Sequence, residues 1–448
     1  MKDVSGYIDR LLSLAKEAGI DPAEVYYTEG QEFSVSSKKQ IIDDYSVSDV
    51  CGLGLRGTYQ GKMGYASTQA LDDAAIAQLI EGVIDSATLV EAEEQDEIFE
   101  GSKEYPSITV LPSDLDQVEA ADKINAVLRM DAAAMADHRI VQTEGAYLTT
   151  YASSIRLKNS FGVDLSHSRC GMVADIVPIA KEGNDISVAS KRFVSKQFSQ
   201  FSPENLAREA AEEAIRALHG RSVSAGEYQV TFRWEAMQSL LSVFSDVFSA
   251  ENAQKKLSKL LNKEGEMIAA SCVTLIDDPL LEGGTATRPF DGEGVPAYTK
   301  AVVKHGVLQT LLHNRKTAKK QGTVTTGNAS RGGYAGVIGV APSNFYLQPG
   351  DDPLEQLLGQ MKEGLFIYEL SGLHAGANSI SGDFSLLCKG FRVEDGKCTT
   401  PVEQITVAGN FYQLLKNIQM IASDLTFNGS SIGTPSVWAG MLSISGAG

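Results

Sequence analysis

Apolar spacing along the first half of the chain alternates between helical and strand periods, and the same order of elements occurs twice. Each time a helical stretch is followed by strand-like segments and then by a second helical stretch. The predicted stretches are a helix at 7–18, strands within 24–67 and a helix at 72–89, and then a helix at 115–136, strands from 141 to about 199 and a helix at 203–218. The pattern predicts an α+β fold that begins with two helix and β-meander units.

Local signals refine this prediction. Ser113 with Asp116 resembles a capping box, and Ser202 with Pro203 is typical of a helix start. Both strand runs open on the tripeptide Thr-Glu-Gly, at residues 28–30 and 143–145, although the surrounding sequences diverge. Two alternatives therefore remain open: the two units are a structural duplication, or they share only the order of their elements. Within the first unit, five strands are predicted, at 24–29, 32–37, 39–45, 50–58 and 62–67.

The second half has a different character. A short strand leads into Trp234, a long helical pattern follows through Phe248, and Gly-rich β segments continue to the end. An acidic stretch at 91–106 ends the first unit and is typical of a solvated connection. These changes predict three units, at 1–105, 106–222 and 223–448, the last of them a β-rich domain opened by a long helix.

Charge and cysteine content exclude several classes of function. The 448 residues include 39 basic and 57 acidic side chains, so the net charge of −18 argues against direct binding of nucleic acid. No apolar run approaches the roughly 20 residues that a membrane span requires. The five cysteines are widely spread without a Cys-x-x-Cys pair, which is typical of the reducing cytosol. We therefore expect a cytoplasmic protein without a membrane partner.

Two glycine motifs match known fingerprints without their required context. Gly52-x-Gly54-x-x-Gly57 is followed by a strand-like segment, whereas a dinucleotide fingerprint requires a helix there. Gly429-Ser430-Ser431-Ile432-Gly433 matches a nucleophile elbow, but no His or Asp follows it. Neither motif predicts a catalytic or cofactor site.

Histidine spacing argues against a hydrolytic zinc site within this chain. Such a site requires three protein ligands, usually with two His one helical turn apart. None of the six histidines pair at that spacing, and His305 and His313 flank a predicted hairpin strand. We expect no metal cofactor in this chain.

A dense group of polar residues lies between positions 277 and 328. It contains Asp277-Asp278-Pro279, the run from Arg288 through Asp291 and Glu293 to Gly294, and Thr326-Gly327-Asn328. Two interpretations remain open. The carboxylates cap backbone amides in tight turns, or the group lines a substrate channel. The channel interpretation names Arg288, Asp291, Glu293, Thr326 and Asn328 as candidate peptide-contacting residues.

This group, the apolar hairpin 301–312 and the closing runs Ser381-Gly382-Asp383-Phe384 and Gly409-Asn410-Phe411 together resemble the TldD/PmbA family, once labelled modulators of DNA gyrase. The resemblance covers nearly the whole chain. In the catalytic branch of that family, a helix opening the C-terminal domain carries His-Glu-x-x-x-His, and a Cys near the C-terminus completes a zinc site.

The matching positions here do not carry those ligands. Trp234 and Ser239 stand where the two His are expected, Glu235 is retained, and residues 428–448 contain no Cys. The degenerate motif resembles the PmbA (TldE) branch. That resemblance implies a metal-free subunit that pairs with a zinc-bearing TldD-like subunit in a peptidase acting on unfolded or leader peptides.

Two other interpretations remain. The chain could act as a homodimer that binds peptides or modulates a gyrase without catalysis. Alternatively, an active homomeric peptidase could build an unusual site from His374, Asp383 and Cys388, which lie close together in the sequence.

Overall fold

The computed structural model describes residues 4–89 and 96–446. Glu91, Glu93 and Glu94 of the predicted acidic connection lie outside the described residues. The architecture is mixed α and β, as predicted, with one large N-terminal sheet and a C-terminal part rich in strands. No helix among the described residues has the length and apolar character needed to cross a membrane.

The N-terminal sheet is antiparallel and has the strand order β3-β2-β1-β4-β5-β6, with β7 pairing on β5. Its strands are β1 Ala23–Lys38, β2 Ile41–Tyr59, β3 Lys62–Thr68, β4 Ile140–Asn159, β5 Asp164–Glu182, β6 Asp185–Val188 and β7 Lys191–Ser195. β1 pairs with β4 from Glu24–Asn159 to Ser37–Ala146. The two predicted units therefore share one sheet, and each contributes a helix, a meander and a second helix.

The predicted division of residues 24–67 into five strands is wrong, because three long strands span that region. Gly30 pairs with Val50 in a ladder that runs without a register shift from Ala23–Gly57 to Ser36–Asp44, although Gly30 and the Ser- and Asp-containing residues 46–49 resemble turns in the sequence. Residues 43–50 of β2 are exposed, so the apolar alternation that marks a half-buried strand is missing there.

The helices of this part are α1 Ser5–Glu17, α2 Asp73–Leu89, α3 Ala120–Ala134 and α4 Pro203–Arg216. All four pack on one face of the sheet, α1 and α2 against Val25 and Tyr27, and α3 and α4 against Leu148 and Met172. Since side chains alternate between faces along a strand, Glu24 and Tyr26 lie on the opposite face. That face is turned toward the C-terminal part.

The capping box predicted for α3 does not form. Residues Leu115–Gln117 make a short 3-10 turn, and α3 begins only after Glu119, which makes no side-chain cap. The neighbouring Asp114 carboxylate instead accepts hydrogen bonds from the amides of Phe198 and Ser199, at 2.6 and 3.1 Å. This contact joins residues more than eighty positions apart, so nothing in the sequence indicated that it would compete with the predicted capping box.

The C-terminal part contains β8 Gly226–Phe232, β9 Leu275–Asp277, β10 Lys300–Lys304, β11 Val307–Leu308, β12 Ala329–Ser330, β13 Gly339–Val340, β14 Phe345–Leu347, β15 Gly364–Ser371, β16 Asp383–Glu394, β17 Lys397–Asn410, β18 Met420–Ile421, β19 Ile432–Gly433 and β20 Val437–Gly446. Its helices are α5 Trp234–Phe244, α6 Ala250–Gln254, α7 Arg315–Gln321, α8 Leu354–Met361, α9 Leu373–Gly376 and α10 Phe411–Asn417.

Five of these strands close into a ring. The order β17-β16-β15-β8-β20 is completed by antiparallel pairing of β20 with β17, from Ile405–Gly446 to Ala408–Ser443. A second sheet has the order β11-β10-β9-β14-β19. Helix α5 contacts β8 and β15 of the ring and β19 of the second sheet. It therefore occupies the centre of the C-terminal core.

Candidate functional site

The N-terminus of α5 is the place where sequence analysis located the degenerate metal motif. β8 ends at Phe232, Arg233 is the N-cap residue in an extended conformation, and Glu235 supplies an acid in the first turn. Met237, Leu240, Leu241 and Phe244 are buried on one side of the helix. This burial fixes the rotation of α5 and turns Trp234 and Gln238 toward the closing segment 424–436.

Hydrogen bonds join the start of α5 to that segment. The Trp234 amide donates to Ser436 Oγ at 3.2 Å, and Thr434 Oγ1 donates to the Trp234 carbonyl at 2.8 Å. Ser436 in turn donates through its amide and its hydroxyl to the Asp424 carboxylate, both at 2.7 Å. Gln238 Nε2 donates to two carbonyls of the same segment, at 2.8 and 2.7 Å. The two regions that would share a metal site are therefore adjacent, and hydrogen bonds connect them.

The side chains at this place do not fit a zinc ion. An indole has no nitrogen lone pair available for coordination, and Ser239 Oγ already donates to the Glu235 carbonyl at 2.9 Å. Across residues 4–89 and 96–446, no group of three or more His, Cys, Asp and Glu side chains is arranged to hold a metal ion.

Glu235 belongs to an ion network between the two halves of the molecule. The Arg233 guanidinium donates to Glu235 and to Glu213 of α4, both at 2.6 Å, and Lys191 of β7 also pairs with Glu213. Arg233 lies over the Tyr368 ring at 5.0 Å. Burial raises the pKa of Glu235, and the charge of Arg233 opposes that rise. The sequence offered no signal for this network beyond the nearness of Arg233 to Glu235.

Several residues of the 277–328 group meet around the buried carboxylate of Asp277. Asp277 Oδ2 lies 2.8 Å from Lys300 Nζ and accepts a hydrogen bond from Asn328 Nδ2 at 2.8 Å. Asp277 Oδ1 accepts from the Ser343 amide at 2.6 Å. Thr326 Oγ1 donates to Asn328 Oδ1 at 2.8 Å. Thr326 and Asn328 are thus engaged in a buried network.

Asp291 and Glu293 also accept backbone hydrogen bonds. Asp291 accepts from the amides of Glu293, Val295 and Ala329 at 2.8, 3.0 and 2.9 Å. Glu293 accepts from the Arg315 amide at 2.9 Å, at the first residue of α7. Burial and the neighbouring Asp291 raise the pKa of Glu293 to about 7. These contacts are the ones that the turn interpretation predicts, and a peptide-contacting role for the same residues stays a prediction.

Arg288 differs from its four companions. Its Nε and Nη2 atoms are buried and have no hydrogen-bond partner among the described residues. Its positive charge acts on Asp291, Tyr26 and His167, which indicates that the guanidinium lies between the 288–294 loop and the N-terminal sheet. Within this group, Arg288 is therefore the candidate with two buried side-chain nitrogens that the described residues leave without a hydrogen bond.

The glycine motif at residues 52–57 has a packing role. A Cβ at Gly52 would lie 2.3 Å from the Tyr334 ring, and one at Gly54 would lie 2.0 Å from the Tyr334 carbonyl oxygen. Arg331 of the same loop pairs with Glu24, which Arg56 also contacts at 2.8 Å. Because these glycines have no side chain, the 331–336 loop can pack directly against β2.

The homomeric peptidase interpretation is wrong for its proposed residues. Asp383 and Cys388 are five positions apart on β16, which separates them by about 17 Å along the strand and places them on opposite faces. The Cys388 side chain is buried, and burial raises the pKa of its thiol to about 12. The Asp383 carboxylate accepts a hydrogen bond from Asn410 Nδ2 at 2.7 Å. These residues cannot form one catalytic site.

The fold and this site define a class of mixed α and β proteins with a seven-stranded N-terminal sheet and a strand-rich C-terminal part built around α5. Three family models match the chain: PmbA/TldA metallopeptidase domain 1 at residues 23–87, the central domain at 113–218 and the C-terminal domain at 225–446. The chain belongs to the PmbA/TldD metallopeptidase family. The resemblance predicted from the sequence motifs is confirmed.

Individual relatives agree with this membership. A metalloprotease PmbA homolog of Haemophilus influenzae is 29% identical, over 97% of this chain and 94% of its own length. A metalloprotease TldD homolog of the same organism is 23% identical, over 92% and 87% of the two chains. A crystal structure from Thermotoga maritima, described as a candidate modulator of a DNA gyrase, has a TM-score of 0.92 and 32% identity, and covers 98% of this chain and 99% of the other.

Proposed function

We propose that this chain is the metal-free subunit of a cytoplasmic PmbA/TldD-type metallopeptidase involved in proteolysis of unfolded or leader peptides. A TldD-like partner supplies the zinc ion, the nucleophilic water and the general base. The single observation that carries the proposal is the helix α5, which keeps its place and Glu235 but carries Trp234 and Ser239 at the expected ligand positions.

Two further observations support the proposal. The chain is more similar to the PmbA homolog of Haemophilus influenzae than to the TldD homolog of that organism, at 29% against 23% identity. Glu235 is held in an ion pair with Arg233 at 2.6 Å, which suits a structural role and not that of a free base. Catalysis therefore requires groups from another subunit.

In this scheme the chain contributes scaffold and part of a peptide channel. Exposed backbone along a strand edge pairs with an extended peptide without regard to its sequence. The candidate contact residues are Arg288, Asp291, Glu293, Thr326 and Asn328. Arg288 is the first of these to test, because its buried Nε and Nη2 atoms have no hydrogen-bond partner in the part of the chain that the structure describes.

Co-expression with a TldD-type protein from the same genome tests the proposal. We expect the two chains to co-purify and to cleave an unfolded peptide in a zinc-dependent reaction. Replacing the partner's motif His residues abolishes cleavage, whereas Glu235→Gln leaves the rate within about twofold, provided that the variant remains folded. Full zinc-dependent cleavage by this chain alone would refute the proposal.

A second candidate is a homodimeric protein that binds peptides or modulates a gyrase without catalysis. This second candidate is supported by the description of the Thermotoga maritima structure as a candidate modulator of a DNA gyrase. The net charge of −18 permits contact with a protein but opposes contact with DNA. A pull-down separates the two candidates, because a homodimer that does not bind any TldD-type protein supports the second.

A further inference from the structure

Strand β2 extends well beyond its outer neighbour in the N-terminal sheet. On one side, β1 pairs with residues 41–57 of β2, whereas on the other side β3 pairs only with residues 53–59. Among the described residues, no strand pairs with the outer side of residues 41–52. We call this outer side the open edge of β2. It presents backbone donors and acceptors that can pair with a further strand.

The hydrogen bonds of Thr58 show which residues point out of the open edge. The Thr58 amide donates to the Pro22 carbonyl at 2.9 Å, and the Thr58 carbonyl accepts from the Asp21 amide at 3.0 Å. Thr58 therefore faces the β1 side of the strand. The ladder with β1 has no register shift between residues 44 and 57, so the backbone groups of odd-numbered residues face outward. At the open edge these residues are Tyr45, Val47, Asp49 and Cys51.

The open edge is exposed and partly apolar. Every residue from 43 to 50 is exposed, and Tyr45, Val47 and Val50 are 48, 67 and 56% exposed. Free edges of soluble proteins usually carry Lys, Pro or a bulge that prevents pairing, and residues 44–52 contain none of these. Large apolar side chains beside an unpaired edge indicate a surface that another strand covers.

The sequence of the open edge is complementary to itself. With a two-fold axis at Val47, antiparallel pairing places this side chain against its own copy. Tyr45 then lies opposite Asp49 of the second copy. Asp44 lies opposite Val50, so no carboxylate within residues 44–50 opposes another. An axis at Asp49 would instead oppose that carboxylate with its own copy. Three outward-facing pairs around Val47 provide about six backbone hydrogen bonds.

We propose that the open edge of β2 binds the same edge of a second copy of this chain, with the two-fold axis at Val47. The two N-terminal sheets then form one continuous antiparallel sheet. A second copy supplies the matching edge by symmetry, whereas an unrelated strand would have to carry its own complementary pattern. The interface does not involve α5, so the inference goes beyond the proposed function and does not depend on it.

Sedimentation velocity of the chain alone, over a range of protein concentrations, tests the interface. We expect an equilibrium between monomer and dimer. Val47→Lys should weaken dimerisation about tenfold, because two like charges meet at the axis. Val324→Lys is the matched control, since this valine of the C-terminal part is 79% exposed, and it should leave the dimerisation constant unchanged. A chain that is monomeric at every concentration, or equal weakening by both variants, would overturn the inference.

Disulfide trapping tests the register. Opposite residues of a hydrogen-bonded antiparallel pair have Cα atoms about 5.5 Å apart, a distance that a disulfide spans. Mild oxidation of Val47→Cys should therefore give a dimer linked from position 47 to position 47, identified by mass spectrometry of unreduced peptides. Val141→Cys, at an exposed position of β4, is the control and should not form the corresponding link. Equal yields of the two links would also overturn the inference.

Both measurements use the chain alone and are independent of the heteromer assay. A chain that stays monomeric alone but forms an active heteromer refutes only this inference. A chain that dimerises through β2 but is inactive with a TldD-type protein refutes only the proposed function.

Discussion

At the scale of single residues, the start of α5 is held by partners from both halves of the molecule. Arg233 has the central position, since it pairs with Glu235 in its own helix and with Glu213 of α4. Its side chain is 14% exposed and that of Glu213 is 10% exposed, so removing one partner leaves a buried charge uncompensated. Glu235, the one retained residue of the degenerate motif, is best understood as part of this network.

Replacement of Arg233 by alanine should destabilise the chain strongly. We expect a loss of about 3 kcal/mol in the free energy of unfolding, because the carboxylates of Glu213 and Glu235 lose their shared partner. Urea denaturation followed by circular dichroism measures this loss. Arg192→Ala is the matched control, because Arg192 pairs with Asp175 while 46% exposed, and should cost less than about 1 kcal/mol. Equal losses in the two variants would contradict the network.

Glu293 should make stability depend on pH in an unusual direction. Its folded pKa of about 7 lies above the usual value of 4.5 for a glutamate side chain, so the folded state binds the proton more tightly. Stability therefore falls as the pH rises from about 4.5 to 7, by about 3 kcal/mol.

The variant Glu293→Gln should lack most of this fall, because it has no proton to lose. The comparison of unfolding free energies at pH 5 and pH 8 measures the difference between the variant and the native chain. Glu282→Gln, at an exposed neighbouring position, is the control and should follow the native chain. A native chain that gains stability relative to Glu293→Gln as the pH rises would contradict the raised pKa.

At the scale of elements, the sequence predicted well what depends on local periodicity. The helices at 5–17, 73–89 and 203–216 lie within about two residues of their predicted bounds, because each has a continuous apolar face. Long-range pairing was not predictable. The junction of β1 with β4 and the closure of β17 on β20 join residues far apart in the chain. The predicted domain bounds at 105 and 222 stay predictions.

The candidate site was predictable only in part, for the same reason. Sequence motifs located the start of α5, but Arg233 finds Glu213 twenty residues earlier and Trp234 contacts Ser436 two hundred residues later. The turn interpretation of Asp291 followed from local Gly and acidic residues, because capping of nearby amides is a short-range effect.

At this scale, the packing of the 331–336 loop against β2 leads to a testable prediction. Gly54→Ala should displace the loop and cost about 1–3 kcal/mol, because the new Cβ would meet the Tyr334 carbonyl. Gly332→Ala in the same loop is the control, since no atom of the described residues lies within 4 Å of a Cβ built there. Limited trypsin digestion at Arg331 should be faster only in Gly54→Ala. Equal digestion rates would show that the contact does not hold the loop.

At the scale of the whole molecule, the chain retains the three-domain design of a metallopeptidase family while its α5 lacks fitting ligands. Two sets of contacts connect its two halves. One is the Arg233 ion network, and the other is the packing of Arg331 and Tyr334 against the N-terminal sheet. A scaffold with these connections can present a peptide surface to a partner's metal centre. This combination is the basis on which we propose the role of a metal-free subunit.

Metal analysis tests this central claim most directly. The chain is purified alone and together with a TldD-type partner, and zinc is quantified against protein by inductively coupled plasma mass spectrometry. The account predicts negligible zinc in the chain alone and one zinc ion per heterodimer, lost when the partner's motif His residues are replaced. One zinc ion per molecule of the chain purified alone would contradict it.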